Sequence, residues 1–102
     1  MNDLLHVMES WYRENEGPLK AYGLRVTLSV ISENAKSSRY LDIESASKFG
    51  RLTVWVSGEA EIQIQNVRTN QTESLLTLVV RNPEELTEAL SRLVKSVEPK
   101  YA

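Results

Sequence analysis

The sequence predicts an α+β domain with one helix at each end of the chain and about five antiparallel strands between them. Apolar residues recur at helical spacing near both ends. Between the ends they alternate with polar residues, which is the period of a half-buried strand. No segment is repeated and no linker divides the chain. This order favours a meander sheet with both helices on one face of the sheet, leaving the other face open.

The composition fits one domain over residues 1–102 and narrows its possible functions. The absence of cysteine excludes disulfides and cysteine-based zinc sites. The 12 basic and 14 acidic residues give a formal net charge of -2. This balance lacks the basic excess with which nucleic-acid-binding proteins displace phosphate counterions. Because no signal-peptide pattern or long apolar run is present, we expect a cytoplasmic protein without a membrane segment.

The first helix is predicted to start at Asn2 or Asp3. Its apolar face, at the spacing i, i+3, i+4 and i+7, consists of Leu4, Val7, Met8 and Trp11. Proline disfavours helix in the residue before it, so Gly17-Pro18 should interrupt this helix. Pro18 can then open a further turn that Gly23 closes.

Two strands are expected next. The first extends from Leu24 to near Ser32, because apolar and polar residues alternate there. A polar loop from Glu33 to Ser38 leads to the second strand, centred on Leu41 and Ile43. A loop around Ser47 to Gly50 then reverses the chain.

The third and fourth strands are predicted to form a hairpin. Their apolar positions are Leu52, Val54 and Val56, followed by Ala60, Ile62 and Ile64. Opposed residues share a face, so Val54 is expected opposite Ile62 and Val56 opposite Ala60. That register needs a three-residue loop, Ser57-Gly58-Glu59, in which Gly58 supplies a positive φ.

A fifth strand and the second helix complete the prediction. The longer apolar run from Leu75 to Val80 predicts a strand with contacts on both faces, either central in the sheet or under a helix. Asn82-Pro83-Glu84-Glu85 is a helix start with a cap residue, proline at the first position and a capping glutamate. Pro99 should end this helix. Its apolar face consists of Leu86, Ala89, Leu90, Leu93, Val94 and Val97.

Recognisable catalytic groups are missing from the sequence. The only histidine, His6, is interpreted as a surface residue, and the four glycines are scattered rather than gathered into a phosphate-binding loop. Asp42 with Glu44 could contribute to a weak oxygen-ligand metal site, and Glu59 with Glu61 could form a glycosidase pair. In both cases the polar side of a strand is the favoured interpretation. We therefore expect no catalytic residue, no metal and no cofactor.

The open sheet face is the best candidate for function. Its predicted outward residues are Thr27, Ser29, Tyr40, Asp42, Glu44, Arg51, Thr53, Trp55, Glu61, Gln63, Gln65 and Thr77. Protein interfaces are enriched in tryptophan, tyrosine and arginine, so Tyr40, Arg51 and Trp55 are the predicted anchors. Alternatively, Tyr40 and Trp55 have a structural role: they cover the sheet surface and are themselves covered by a loop or by the segment at Pro18.

Several segments of the sequence resemble the TriTu immunity proteins of bacterial polymorphic toxin and contact-dependent inhibition systems. They are the opening helix with Trp11, Tyr22-Gly23-Leu24, Leu41 to Ser45, Arg51 to Ile62 and a last helix containing Glu84-Glu85-Leu86. The resemblance covers most of the chain and is sharpest from Trp55 to Ile62. It implies a cytoplasmic antidote that binds a cognate toxin domain, often a nuclease delivered by a neighbouring cell.

A toxin-binding role adds acidic residues to the predicted site, because carboxylates would complement the basic cleft of a nuclease. The full predicted partner-binding set is Tyr40, Asp42, Glu44, Arg51, Trp55, Glu59 and Glu61. The alternative is a small acidic secretion chaperone or adaptor that holds a partner segment across its sheet. A chaperone should form a stable dimer, whereas an antidote can act as a monomer, which we favour.

Overall fold

The computed structural model describes residues 3–33 and 36–98, and it confirms the predicted α+β architecture. Five antiparallel strands form one open sheet in the order β1-β2-β3-β4-β5. The sheet lies between a first and a last helix along the chain. The elements are α1 (Leu4–Ala21), β1 (Arg25–Leu28), β2 (Ser38–Glu44), β3 (Lys48–Trp55), β4 (Glu59–Asn66), β5 (Thr72–Val79) and α2 (Pro83–Val97).

Both helices pack on one side of the sheet, which we call the helix-covered face. Helix α1 lies over β1, β2 and β3, and α2 lies over β2, β3 and β4. In the described part of the chain neither helix lies over β5. The core between the layers consists of Leu4, Leu5, Met8, Leu24, Val26, Leu41, Ile43, Leu52, Val54, Ala60, Ile62, Ile64, Val80, Leu86, Ala89, Leu90, Leu93 and Val97.

Helix α1 begins after Asp3, whose side chain caps it by accepting from the backbone N–H of His6. The predicted interruption at Gly17-Pro18 is wrong, because the helix continues through Pro18 to Ala21. Proline at that position lacks the N–H that would donate to the carbonyl of Glu14, so the helix continues with one hydrogen bond fewer. The predicted closure at Gly23 is confirmed, since its φ is +93° and it donates to Lys20 O at 3.0 Å. Position 2, the other predicted start, lies outside the described residues.

Helix α2 follows its sequence signal closely. Asn82 caps it by accepting from the backbone N–H of Glu85 at 2.8 Å, and Pro83 occupies the first turn. Glu85 in turn accepts from the backbone N–H of Arg81, which lowers the pKa of the Glu85 carboxyl group. The predicted apolar face is buried except for half-buried Val94. The predicted stop at Pro99 lies outside the described residues.

Two strand boundaries differ from the prediction. Strand β1 ends at Leu28, not near Ser32. The regular ladder stops there because the Ser29 hydroxyl accepts from the backbone N–H of Tyr40, while the Ser29 carbonyl oxygen accepts from Arg39. Val30 is consequently 83% exposed. Strand β3 already begins at Lys48, so the predicted loop through Gly50 is wrong. The preceding turn is organised by Ser45, whose hydroxyl oxygen accepts from the backbone N–H of Lys48.

Gly50 has a packing role within β3. A Cβ atom at this position would lie 2.6 Å from Val97 Cγ2 and 2.8 Å from Leu93 Cδ1. A larger residue here would therefore displace these side chains or push α2 away from the middle of the sheet.

The β3–β4 hairpin has the predicted three-residue loop length and apolar parity but a different register. Leu52 and Val54 lie opposite Ile62 and Ala60, so the loop is 56–58 and Val56 is exposed. Gly58 explains the shift. Its φ is +98°, and a Cβ there would lie 2.6 Å from the carbonyl oxygen of Val80. This close approach fixes Gly58 as the last loop residue under the end of β5.

The prediction that the fifth strand is central or covered by a helix is wrong. Strand β5 pairs only with β4 and forms an edge of the sheet. Leu75 and Val79 are each 60% exposed and Leu76 is 36% exposed. The apolar run that suggested contacts on both faces is therefore largely solvent-facing in this chain.

Arg39 stabilises the junction between α1 and the sheet and was not predicted. It lies on the helix-covered face opposite Val54. Its guanidinium donates to Ser29 O at 2.8 Å and to Leu5 O at 2.9 Å. The alternation of Leu41 and Ile43, extended back by two residues, would have placed Arg39 on this face.

Candidate functional site

We call the side of the sheet opposite the helices the open face. All seven predicted partner-binding residues lie on it: Tyr40, Asp42, Glu44, Arg51, Trp55, Glu59 and Glu61. Their positions follow from strand alternation, because the intervening residues of β2, β3 and β4 point into the core. No helix or strand of the described residues covers this face. The alternative that the Pro18 segment covers the two aromatic residues is wrong, because Pro18 belongs to α1, which packs on the opposite face.

Arg51 is the centre of the most ordered cluster on the open face. It lies directly opposite Asp42, and its Nε and Nη2 atoms donate to the two carboxylate oxygens at 2.7 and 3.0 Å. The guanidinium carbon also lies 3.9 Å from the centroid of the Tyr40 ring. Such bidentate and cation–π contacts hold the side chains in one geometry. Hydrogen bonding to Asp42 raises the pKa of the Arg51 guanidinium.

Phe49 belongs to this cluster but was not predicted, because the sequence suggested a loop there. Its ring centroid lies 5.8 Å from the guanidinium carbon of Arg51. Arg51 thus lies between two aromatic rings, those of Tyr40 and Phe49. The signal was present in the alternation of Arg51 and Thr53, which places Phe49 on the same face when it is extended toward the N-terminus.

Trp55 lies apart from the arginine cluster, at the end of β3 opposite Ser38. Four residues of extended strand separate it from Arg51, which corresponds to about 13 Å. The half-buried indole lines a shallow groove of about 400 Å³ on the open face. Glu59, Glu61, Thr77 and Val79 are also part of its lining. The predicted anchors therefore form two neighbouring groups, Tyr40 with Arg51, and Trp55 with the groove.

Three of the four predicted acidic residues already pair with cations of the same chain. Besides the Asp42–Arg51 pair, Glu44 contacts Arg25 at 3.3 Å and Glu59 contacts Lys36 at 2.6 Å. The last two pairs are exposed, so each contributes little to stability and can rearrange.

Glu61 differs from the other acids because it has no ion pair among residues 3–33 and 36–98. It lies half-buried on β4 between Thr53 and Thr77. Its carboxylate is therefore the one acidic group of the predicted site that remains available to a cation on a partner.

Among the described residues, the carboxylates of the open face do not form a metal-ligand cluster. In the described ranges there is no group of three or more histidine, cysteine or acidic side chains that could hold a metal ion. His6 contacts the Asp3 carboxylate at the start of α1, and hydrogen bonding to His6 lowers the Asp3 pKa. No helix in the described part of the chain is long and apolar enough to cross a membrane.

The chain was compared with families of known proteins. The family described as "Immunity protein TriTu" matches residues 6–96, which includes both helices almost entirely and all five strands. No curated protein matches the chain.

Proposed function

Because the chain belongs to the TriTu family of immunity proteins, we propose that it neutralises one cognate bacterial toxin domain by stoichiometric binding through the open face. The toxin is a nuclease that reaches the cytoplasm from a neighbouring cell, and one copy of the chain occupies one toxin domain. The chain contributes no chemical step of its own. Inhibition follows from occupying the surface that the toxin uses on its substrate.

The observation that carries this proposal is the ordered cluster of Arg51, Asp42 and Tyr40 on the sheet face opposite the two helices. Side chains that are already fixed lose little conformational entropy on binding, and this favours tight association. Tyrosine, tryptophan and arginine are also the residues that most often dominate interface energetics. The immunity family supports this antidote over a secretion chaperone.

Glu61 supports the assignment of a basic partner such as a nuclease. A nuclease presents cationic side chains to the phosphates of its substrate, and an unpaired carboxylate on the inhibitor complements that charge. Asp42 is less suited to this task, because Arg51 already satisfies both of its oxygens.

Replacing Trp55 tests whether the open face binds the toxin. The partner in the assay is the C-terminal domain of the protein encoded immediately upstream of this chain. We expect Trp55→Ala to weaken binding by about 2 kcal/mol or more, because a central aromatic anchor is lost. Calorimetric titration measures the dissociation constant, and thermal unfolding checks the fold. The matched control is Tyr22→Ala, an exposed aromatic at the end of α1, which should bind like wild type.

Two outcomes contradict the proposal. If the upstream domain does not bind the wild-type chain, the antidote role is wrong. If Trp55→Ala and Tyr22→Ala both bind like wild type, the antidote role stands, but recognition does not use Trp55.

Neutralising Glu61 tests the charge of the partner. Glu61→Gln should slow association at low ionic strength and flatten the salt dependence of the association rate, because one steering charge is removed. Glu14→Gln, an exposed change on α1, removes the same charge from the other side of the molecule. Stopped-flow association at several salt concentrations should separate the two variants. Equal salt dependence in both would show that Glu61 does not face a cation.

A further inference from the structure

Strand β5 is an exposed apolar edge that the proposed open-face contact does not explain. It is eight residues long, and no helix formed by residues 3–33 and 36–98 lies over it. Leu75 and Val79 on the open face are each 60% exposed, and Leu76 on the other face is 36% exposed. Proteins usually protect such edges with charges, prolines or bulges. Here the one register irregularity lies near the start of the strand, and the stretch 74–79 carries no charge.

The backbone of β5 is oriented to accept another strand. The backbone N–H of Val80 donates to Gly58 O at 2.7 Å, so these two residues form a hydrogen-bonded pair at the end of the β4–β5 ladder. Hydrogen-bonded and non-hydrogen-bonded pairs alternate along an antiparallel ladder. Continuing the alternation directs the N–H and C=O groups of Leu75, Thr77 and Val79 away from β4, toward the free edge. An extended segment is the partner that satisfies three such residues at once.

The groove beside Trp55 connects this edge with the proposed recognition surface. The groove is lined by Trp55 of β3, Glu61 of β4, and Thr77 and Val79 of β5. A toxin domain that covers Trp55 therefore reaches the edge of β5 without leaving the surface it already occupies.

We propose that β5 accepts an extended strand of the toxin domain as the sixth strand of the sheet. This inference rests on the proposed function and adds the mode of binding. The strand pairs with the backbone of Leu75, Thr77 and Val79, places apolar side chains against Leu75 and Val79, and brings a lysine or arginine to Glu61.

The charge pattern favours a toxin strand over a second copy of this chain. Glu59 and Glu61 line the groove beside β5. Glu59 is paired with Lys36, but Glu61 has no ion pair among the described residues. A second copy pairing through its own β5 would bring its own Glu61 toward the junction, where like charges disfavour association. A strand carrying basic residues instead neutralises Glu61.

Two substitutions at Thr77 test the backbone contact. Thr77→Pro removes an edge N–H that β4 does not use, whereas Thr77→Ala removes only the side chain and keeps that donor. With the upstream-encoded C-terminal domain as probe, we expect Thr77→Pro to lower affinity at least about tenfold. Thr77→Ala should bind within about twofold of wild type. Thermal unfolding of both variants reports whether the fold is intact.

Hydrogen exchange on the wild-type chain gives an independent measurement. It tests strand addition even if Thr77→Pro does not fold. Addition of the toxin domain should slow exchange of the Leu75, Thr77 and Val79 amides by about tenfold or more. The internal control is the other edge of the sheet, where alternation from the Ser29–Tyr40 hydrogen bond directs the Val26 and Leu28 amides outward. These two should exchange at unchanged rates.

The outcomes separate this inference from the proposed function. If the toxin domain binds wild type and both Thr77 variants equally, and the β5 amides stay unprotected, strand addition is wrong while the antidote role stands. If those amides become protected with rising protein concentration alone and the chain sediments as a dimer, a second copy occupies the edge and the proposal is overturned. If the toxin domain does not bind wild type, the proposed function itself fails.

Discussion

The two edge strands of the sheet differ in length, cover and composition. Strand β1 has four residues, begins with Arg25, and places Val26 beneath α1 with 9% exposure. Strand β5 has eight residues, lies beyond both helices, and exposes 60% of Val79. One edge is thus short, charged and covered by the chain's own helix. The other is long, apolar and uncovered.

This difference indicates that the strands under the helices stabilise the fold, whereas β5 is suited to binding. Burial of apolar surface drives folding, so the strands under α1 and α2 should supply most of the stability. Strand β5 is attached by its pairing with β4 and by the buried Val80 at its end. Its exposed apolar side chains gain their burial only when another molecule covers them.

The largest expected effect lies under α2, in the covered part of the sheet. Leu90 is fully buried in the core. Leu90→Ala should lower the free energy of unfolding by about 2–5 kcal/mol, because it removes packing and leaves a cavity. Denaturant unfolding measures the change, and Ser91→Ala on the exposed side of α2 is the control. A loss below about 0.5 kcal/mol would mean that α2 does not close the core.

The elements and the faces of the strands were predictable because each rests on local periodicity. Alternation placed Tyr40, Asp42 and Arg51 together on the open face, and the cap at Asn82 located α2. Both signals depend on neighbouring residues in the chain, which the sequence contains directly.

The errors share a different cause, because each depends on a contact between distant segments. Gly50 suggested a turn, but it belongs to β3 since Leu93 and Val97 of α2 need its missing Cβ. The hairpin register depends on Gly58 meeting Val80. Local propensity at Gly17-Pro18 was likewise overridden, since α1 continues across it.

The error at β5 is the most informative one. The run from Leu75 to Val80 has the composition of an interior strand, yet it lies at an edge. A sixth strand from a partner would place this segment in the interior position that its composition suits. Leu75 and Val79 were not part of the predicted site, because the sequence predicted them to be covered within the chain.

A matched pair of substitutions tests the comparison of the edges directly. Val26→Thr on β1 puts a hydroxyl group into the core beneath α1. Valine and threonine have similar shapes, but a buried hydroxyl without a partner costs about 1–3 kcal/mol. Val79→Thr makes the same chemical change on β5, where the side chain is 60% exposed. Its effect on the free energy of unfolding should stay within about 0.5 kcal/mol.

Binding should reverse the order of these two variants. Val79 lines the groove beside Trp55, so a toxin strand on β5 would bury its methyl groups. Losing one buried methyl group costs about 0.8 kcal/mol, or roughly fourfold in affinity. Val26 lies beneath α1, so Val26→Thr should bind the upstream-encoded domain like wild type at temperatures where it is folded. Urea unfolding gives the free energy of unfolding of each variant, and titration with the toxin domain gives its dissociation constant. Equal destabilisation by the two changes would show that β5 is already packed in the free chain, and the edges would then not differ as described.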